Sequence, residues 1–196
     1  LNVFWNFSYI AQSHTNMQMM EDTWSGGLKQ IFLSGINEFE YLVARIIFST
    51  VVSNVVLVLL VTVSFAFGLS IVTTHLGLVI LLFAMTLLAS IAMSVLVAAI
   101  VITMGKEYGF LAWTILQLFI LLSAPFFSVD VFPEPLRAIS AIMPYTAIFE
   151  NARSLVINGT ISQPLLITGT EIALIYLIIS LPLYKFAFDR ARRTGY

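Results

Sequence analysis

The chain contains no cysteine. That excludes disulfides, thiolate chemistry and cysteine-based metal sites. Its two histidines, His14 and His75, are too few and too far apart in sequence for a metal centre. Charge is scarce: only 10% of the residues are Asp, Glu, Lys or Arg, where soluble domains average about 25%. None lies anywhere from residue 46 to 104. No Gly-rich loop carries the lysine that a phosphate-binding loop needs, so nothing in the chain points to ATP hydrolysis. Ser13 and His14 are neighbours, but no acid completes a triad with them. A net charge of −1 supplies no field to attract nucleic acid.

What fills the chain is apolar. Hydrophobic residues make up 60% and the mean hydropathy is +1.00. A spanning helix needs roughly 20 apolar residues, and four runs meet that length: 46–69, 76–104, 110–127 and 165–186. Lipid offers no partners to backbone N–H and C=O groups, so a span must be a helix or part of a closed barrel. Alternation with a period of two is absent, which leaves an all-α polytopic membrane helix bundle in one domain. Thr73, Thr74 and His75 make the turn after the first run, and residues 105–109 (GKEYG) a second, tight one. The opening LNVFWNFSYIA turns polar after eleven residues. It reads as the tail of a span begun upstream (1–15), which implies an N-terminally incomplete chain, or else as a short interfacial anchor.

Orientation follows the Lys and Arg distribution. Four crossings put Lys29, Arg45, Lys106, Lys185, Arg190, Arg192 and Arg193 on one side and Arg137 and Arg153 on the other. The first group is therefore expected in the cytoplasm, with the tail 187–196 as anchor.

Two segments outside the runs are patterned. In 16–36, Met17, Met20, Trp24, Leu28 and Ile31 step by three or four, one face of a helix. Gly26-Gly27 interrupts it, either as a kink or as the end of a first helix. In 128–160, Leu136, Ile139, Ile142 and Met143, then Ile148, Ala152, Leu155 and Val156, keep helical spacing around Pro144. That predicts two short amphipathic helices broken at Pro144. Pro133 and Pro135 restrict the entry to the first, and Gly159 suits the end of the second. Glu150 and Arg153, three apart, read as an ordinary surface pair.

The order of these segments, carried by MEDTWSGGLKQIFLSGINEFEYLVARII and FFSVDVFPEPLRAISAIMPYTAIFENARSLVINGT, resembles the permease subunit of type-2 ATP-binding-cassette (ABC) exporters. The resemblance covers essentially the whole chain. Full subunits of that family have six spans, so the four runs would be the third to sixth. It implies that residues 21–34 form the coupling helix, with Glu21, Asp22, Trp24, Gly27, Leu28 and Lys29 contacting a separate ATPase pair. ATP and Mg would be bound by that partner, with no cofactor in this chain. It also implies that 128–160 re-enters the membrane as an outer gate at Pro133, Pro135, Pro144, Tyr145 and Glu150. A second permease copy, the same or similar, would complete the conduit in a bacterial inner membrane. One departure is visible: Ser34-Gly35 stands where the family often has proline.

Other readings of the same residues stay open. The 16–36 segment could be an interfacial helix with Trp24 at the headgroups, and 128–160 an ordinary interfacial hairpin. Ser49, Thr50, Ser53, Asn54, Thr86, Ser90, Ser94, Thr114 and Gln117 are among the polar groups inside the runs. Such residues more often let helices approach than line a path. Asn54 and Gln117 are the candidates for a cargo path, because a buried amide needs several partners. The expected cargo is amphipathic: a polysaccharide, a lipid-linked glycan or a hydrophobic drug. The alternative function is a non-transporting membrane scaffold that recruits a cytoplasmic partner.

Overall fold

The computed structural model describes residues 2–66, 74–104 and 109–194. Among them only helices and turns occur. Helix α1 is Asn2–Ser25, α2 Gly27–Leu33, α3 Glu38–Ala66, α4 Leu76–Met104 and α5 Gly109–Leu122. A 3-10 turn, Val129–Val131, precedes α6 (Glu134–Ala141), α7 (Thr146–Asn158) and α8 (Gln163–Thr194).

Three described helices are long and apolar enough to cross a membrane: α3, α4 and α8. The expected third span, 110–127, is not among them. Its helix α5 has 14 residues, about 21 Å, short of a hydrocarbon core of about 30 Å. The reason is local. Ser123 turns its hydroxyl back onto the Phe119 carbonyl at 2.8 Å, Ala124 takes a left-handed conformation at φ 53°, and Pro125 has no N–H and disfavours helix in the residue before it. The turn at 105–108 lies outside the described residues.

The boundary expected at residue 15, between a span tail (1–15) and the segment 16–36, coincides with no break in the helix. No Gly or Pro interrupts residues 2–25, and α1 runs unbroken through both. The break falls at Gly26, whose φ of 78° is left-handed, a conformation glycine adopts without steric cost. Met17, Met20 and Trp24 therefore belong to one helix, and Leu28 and Ile31 to the next.

Helix α4 is the centre of the bundle, with most of its apolar stretch buried, whereas α3 and α8 expose most of theirs. One core cluster joins Phe7 of α1, Leu82, Phe83 and Met93 of α4, Ile120 of α5, and Tyr145 and Phe149 at the start of α7. A second joins Met19, Tyr41 and Leu42 to Val95, Ala98 and Ile102 of α4 and to Tyr184 and Phe188 of α8. Phe7 meets Phe83 edge-to-face at 4.7 Å and Met19 lies farther along α4, so α1 runs beside α4 in the same direction.

The ends of the bundle are tied separately. At one end the Tyr184 hydroxyl donates to the Glu38 carbonyl at 3.0 Å. There, too, α3 starts with a capping box: Asn37 Oδ1 accepts from Phe39 N at 3.3 Å, and Glu40 Oε2 accepts from Asn37 N at 3.0 Å. At the other end Gly159, left-handed at φ 68° as its helix-ending position anticipates, closes α7 beside His75 at the start of α4.

Candidate functional site

Two clusters of polar side chains stand out, one at each end of the bundle. The first joins α1 and α3. Asp22 accepts from the Tyr41 hydroxyl at 2.6 Å and forms an ion pair with Arg45. Arg45 also donates to Gln18 Oε1 at 3.1 Å, and its guanidinium lies 5.3 Å from the Tyr41 ring centroid, within cation–π range. Four side chains thus bind the last turns of α1 to the first turns of α3. A cleft of about 600 Å³ opens beside them, lined by Gln18, Tyr41 and Arg45 together with Ile31, Ile36 and Phe48.

Of the residues expected to couple, Asp22 belongs to this clamp and Glu21 is exposed beside it. Gly27 opens α2. The side chains of Trp24, Leu28 and Lys29 lie outside the described residues. On α2, Gln30 is exposed and Leu33 is 87% exposed. The clamp partners Gln18, Tyr41 and Arg45 escaped the sequence reading. Their spacing carries no motif, because Asp22 and Arg45 meet only when the turn at Gly26 and the loop at 34–37 fold α3 back on α1.

The second cluster organises residues 123–162. Ser128 accepts from Asp130 N at 3.4 Å and so caps the 3-10 turn. Pro133 and Pro135 open α6, both exposed. The chain then turns through Pro144, which is buried in the turn rather than at the first position of α7. Thr146 holds that turn, donating to the Ser140 carbonyl at 2.6 Å.

Tyr145 is fully buried. Its hydroxyl donates to Ser90 Oγ at 3.2 Å. Ser90 is the midpoint of the 29-residue α4. From that point α7 rises along α4 until Gly159 reaches His75. The vertex of the helix pair therefore sits halfway along the central helix, and the pair's other end is level with the start of α4. Tyr145→Phe keeps the ring and loses only the hydrogen bond; we expect about 1 kcal/mol of destabilisation, read as a small fall in melting temperature of the purified protein.

Glu150 and Arg153 are not a surface pair. They are mostly covered, with side-chain exposures of 23% and 13%, and their bond is 2.6 Å. Arg153 Nη2 donates to the carbonyls of Ala124 at 3.1 Å and Phe127 at 2.6 Å. Glu150 accepts from Val129 N at 2.9 Å. The pair thus holds the chain between α5 and α6 in place and satisfies backbone groups that no helix serves. Asn151, unremarked in the sequence, does the same one position along. It donates to the Ala147 carbonyl at 3.0 Å and accepts from Ser162 N at 2.7 Å, fixing the entry to α8.

The two amides expected on a cargo path are not joined by any hydrogen bond among the described residues. Gln117 is half-buried on α5. Asn54 is exposed on the side of α3 that points away from the bundle, and its Nδ2 donates to the Thr50 carbonyl at 2.8 Å. Of the polar residues on α4, Thr86 bonds its own helix at the Leu82 carbonyl and Ser90 receives Tyr145.

This combination of a clamped amino-side junction, a central helix and a deep helix pair can be compared with known families. The profile described as ABC-2 family transporter protein matches residues 3–184. The chain belongs to the ABC-2 transporter family. No curated protein and no solved structure matches it. As an ABC-2 family protein it is a membrane component, a permease subunit of an ABC transporter, without an ATP site of its own. The ABC-2 match spans both polar clusters, the Asp22 clamp and the Tyr145 vertex alike.

Proposed function

We propose that the chain is the permease half of an ATP-driven exporter that moves an amphipathic cargo outward: a polysaccharide, a lipid-linked glycan or a hydrophobic drug. A separate pair of ABC ATPase subunits binds ATP and Mg and docks at the end of α1 and on α2. A second permease copy completes the conduit. The α6–α7 pair is a re-entrant gate on the outer face of a bacterial inner membrane, and the carboxyl tail is cytoplasmic, where its arginines favour it.

The observation that carries this reading is the seat of Tyr145 against Ser90 at the middle of α4. A connection that reaches halfway down the central helix is no surface loop, and non-helical backbone is tolerated at such depth only where protein covers it. Pro144, Tyr145 and Thr146 are all buried. Direction comes from the cargo's different affinities for the inward- and outward-open states. At the other end, the Asp22–Arg45–Tyr41 clamp makes the end of α1 and the start of α3 one body, so a push on α2 is delivered to two helices at once.

The test is co-purification of the complete subunit with its ATPase, together with ATP-dependent transport in proteoliposomes. We expect Glu21→Lys and Trp24→Ala each to reduce ATPase association at least about tenfold, the loss of one or two good polar or aromatic contacts. Full association and full transport in both variants would overturn the coupling assignment.

A further inference from the structure

The charge-free run begins at residue 46, so Arg45 is the last charged side chain on α3 before the hydrocarbon. A cation at that position sits at the level of the lipid headgroups. Arg45 lines the cleft of about 600 Å³ beside the Asp22 clamp, so the cleft lies at the same level. Its volume falls within the roughly 300–1,000 Å³ of small-molecule sites. Along α3 the lining changes in one direction: Glu40 first, then Ala44 and Arg45, then Phe48. A carboxylate stands at the watery end, a guanidinium about 7.5 Å deeper along the axis, and an aromatic ring beyond it. A phospholipid with an amine in its headgroup presents its ammonium, phosphate and acyl chains in that order.

Both charged groups keep free capacity. Arg45 carries five N–H donors. One goes to Gln18 and one to Asp22. The other three have no partner among the described residues, and the side chain is 27% exposed. Glu40 is exposed; its Oε2 accepts from Asn37 N, and its Oε1 has no partner among the described residues.

The balance of charge narrows the ligand. Asp22 already pairs with Arg45, and Glu40 adds a second carboxylate, so a ligand of net negative charge gains little here. A headgroup with both signs fits, its phosphate on the open Arg45 donors and its ammonium on Glu40. Phosphoethanolamine joins the two by a pair of methylenes, long enough with a hydrogen bond at each end to bridge the offset. Phe48 is 49% exposed and belongs to a span that leaves most of its apolar stretch uncovered, so the deep end of the cleft opens to lipid.

We propose that this cleft binds a zwitterionic aminophospholipid of the adjoining leaflet, with its ammonium on Glu40, its phosphate on Arg45 and an acyl chain beside Phe48. Gln18 of α1 and Ile31 of α2 also line the cleft. The lipid therefore touches all three elements of the junction and braces it, as a resident lipid and not as cargo.

Native mass spectrometry of the purified full-length protein, titrated with phosphatidylethanolamine, phosphatidylcholine or phosphatidylglycerol, reads the site. Phosphatidylethanolamine is expected to bind about tenfold more tightly than either other lipid, the worth of one charge-assisted hydrogen bond. The trimethylammonium of phosphatidylcholine cannot donate to Glu40, and phosphatidylglycerol has no ammonium. Glu40→Gln keeps an acceptor for Asn37 N, as a capping box permits, and should level the three affinities. Ala44→Trp fills the cleft from an exposed position and should remove one tightly held lipid while the lipid-free protein keeps its helical circular dichroism. Equal affinities in the wild type, an undiminished preference in Glu40→Gln, or the same lipid count in a folded Ala44→Trp protein would each overturn the proposal. Displacement of the lipid by equimolar soluble phosphoethanolamine would overturn it too, because the apolar wall would then contribute nothing. None of these measurements involves an ATPase, so the coupling assignment stands or falls separately.

Discussion

Gly169→Leu is expected to separate α7 from α8 and to abolish transport. Gly169 is buried where α8 crosses the start of α7. A Cβ added there would stand 2.5 Å from the Ala147 Cβ and 3.5 Å from the Met85 methyl. Ala147 cannot retreat, because it is only two residues beyond Tyr145, whose ring is fully buried and bonded to α4. A leucine must therefore push the whole vertex outward. Overpacking of this kind costs about 3 kcal/mol, or about 10 °C in melting temperature for a chain of this size. Gly169→Ala should show a milder form of the same defect. Ala147→Gly combined with Gly169→Ala should recover most of the loss, since the two positions share one contact. Thermal unfolding of the four purified proteins reads the cycle directly. Additive losses in the double variant would mean that the close approach of α7 to α8 does not decide stability.

The second large effect concerns Arg153. Arg153→Ala removes the bond to Glu150 and the bonds to the Ala124 and Phe127 carbonyls, and leaves Glu150 mostly covered without its counter-charge. We expect about 3 kcal/mol of destabilisation and faster proteolytic cleavage between α5 and α6. Arg153→Lys should recover only part, because an ammonium is a point charge and cannot span two carbonyls and a carboxylate as the guanidinium does. Glu150→Gln combined with Arg153→Met removes the charge imbalance and should be less harmful than Arg153→Ala alone. Wild-type stability and protease resistance in Arg153→Ala would show that the loop is held by packing and not by this pair.

Several features were legible because their causes are local. The uncharged run over 46–104 marks spans directly. Gly26 and Gly159 mark helix ends because the chain needs a left-handed residue there, and the segment 134–158 shows its two helices in its apolar spacing. Other features misled. Within 110–127 the helix stops at Leu122, because Ser123, Ala124 and Pro125 together end it, and apolar composition alone cannot register that. Glu150 and Arg153 looked like a surface pair because helical spacing says nothing about a loop folding over them from the preceding helix. The direction in which Asn54 points was not legible, because the apolar residues of α3 surround it on every side of the helix, leaving no stripe to tell inside from outside.

By itself the sequence determined that the chain lives in a membrane, that it is helical, where most helices stop, and that it carries no thiol. These follow from composition and from interactions within a few residues. Only the tertiary structure decided how deep the vertex at Tyr145 sits, that Arg153 and Glu150 hold a loop, that Asp22 is joined to Tyr41 and Arg45, and which way Asn54 points. Each depends on contacts between residues distant in the chain, as in the bond from Tyr145 to Ser90 across 55 positions or from Tyr184 to Glu38 across 146. In a chain this apolar nearly every helix face could be buried. Polar satisfaction and close packing between helices, rather than hydrophobic pattern, choose which face is.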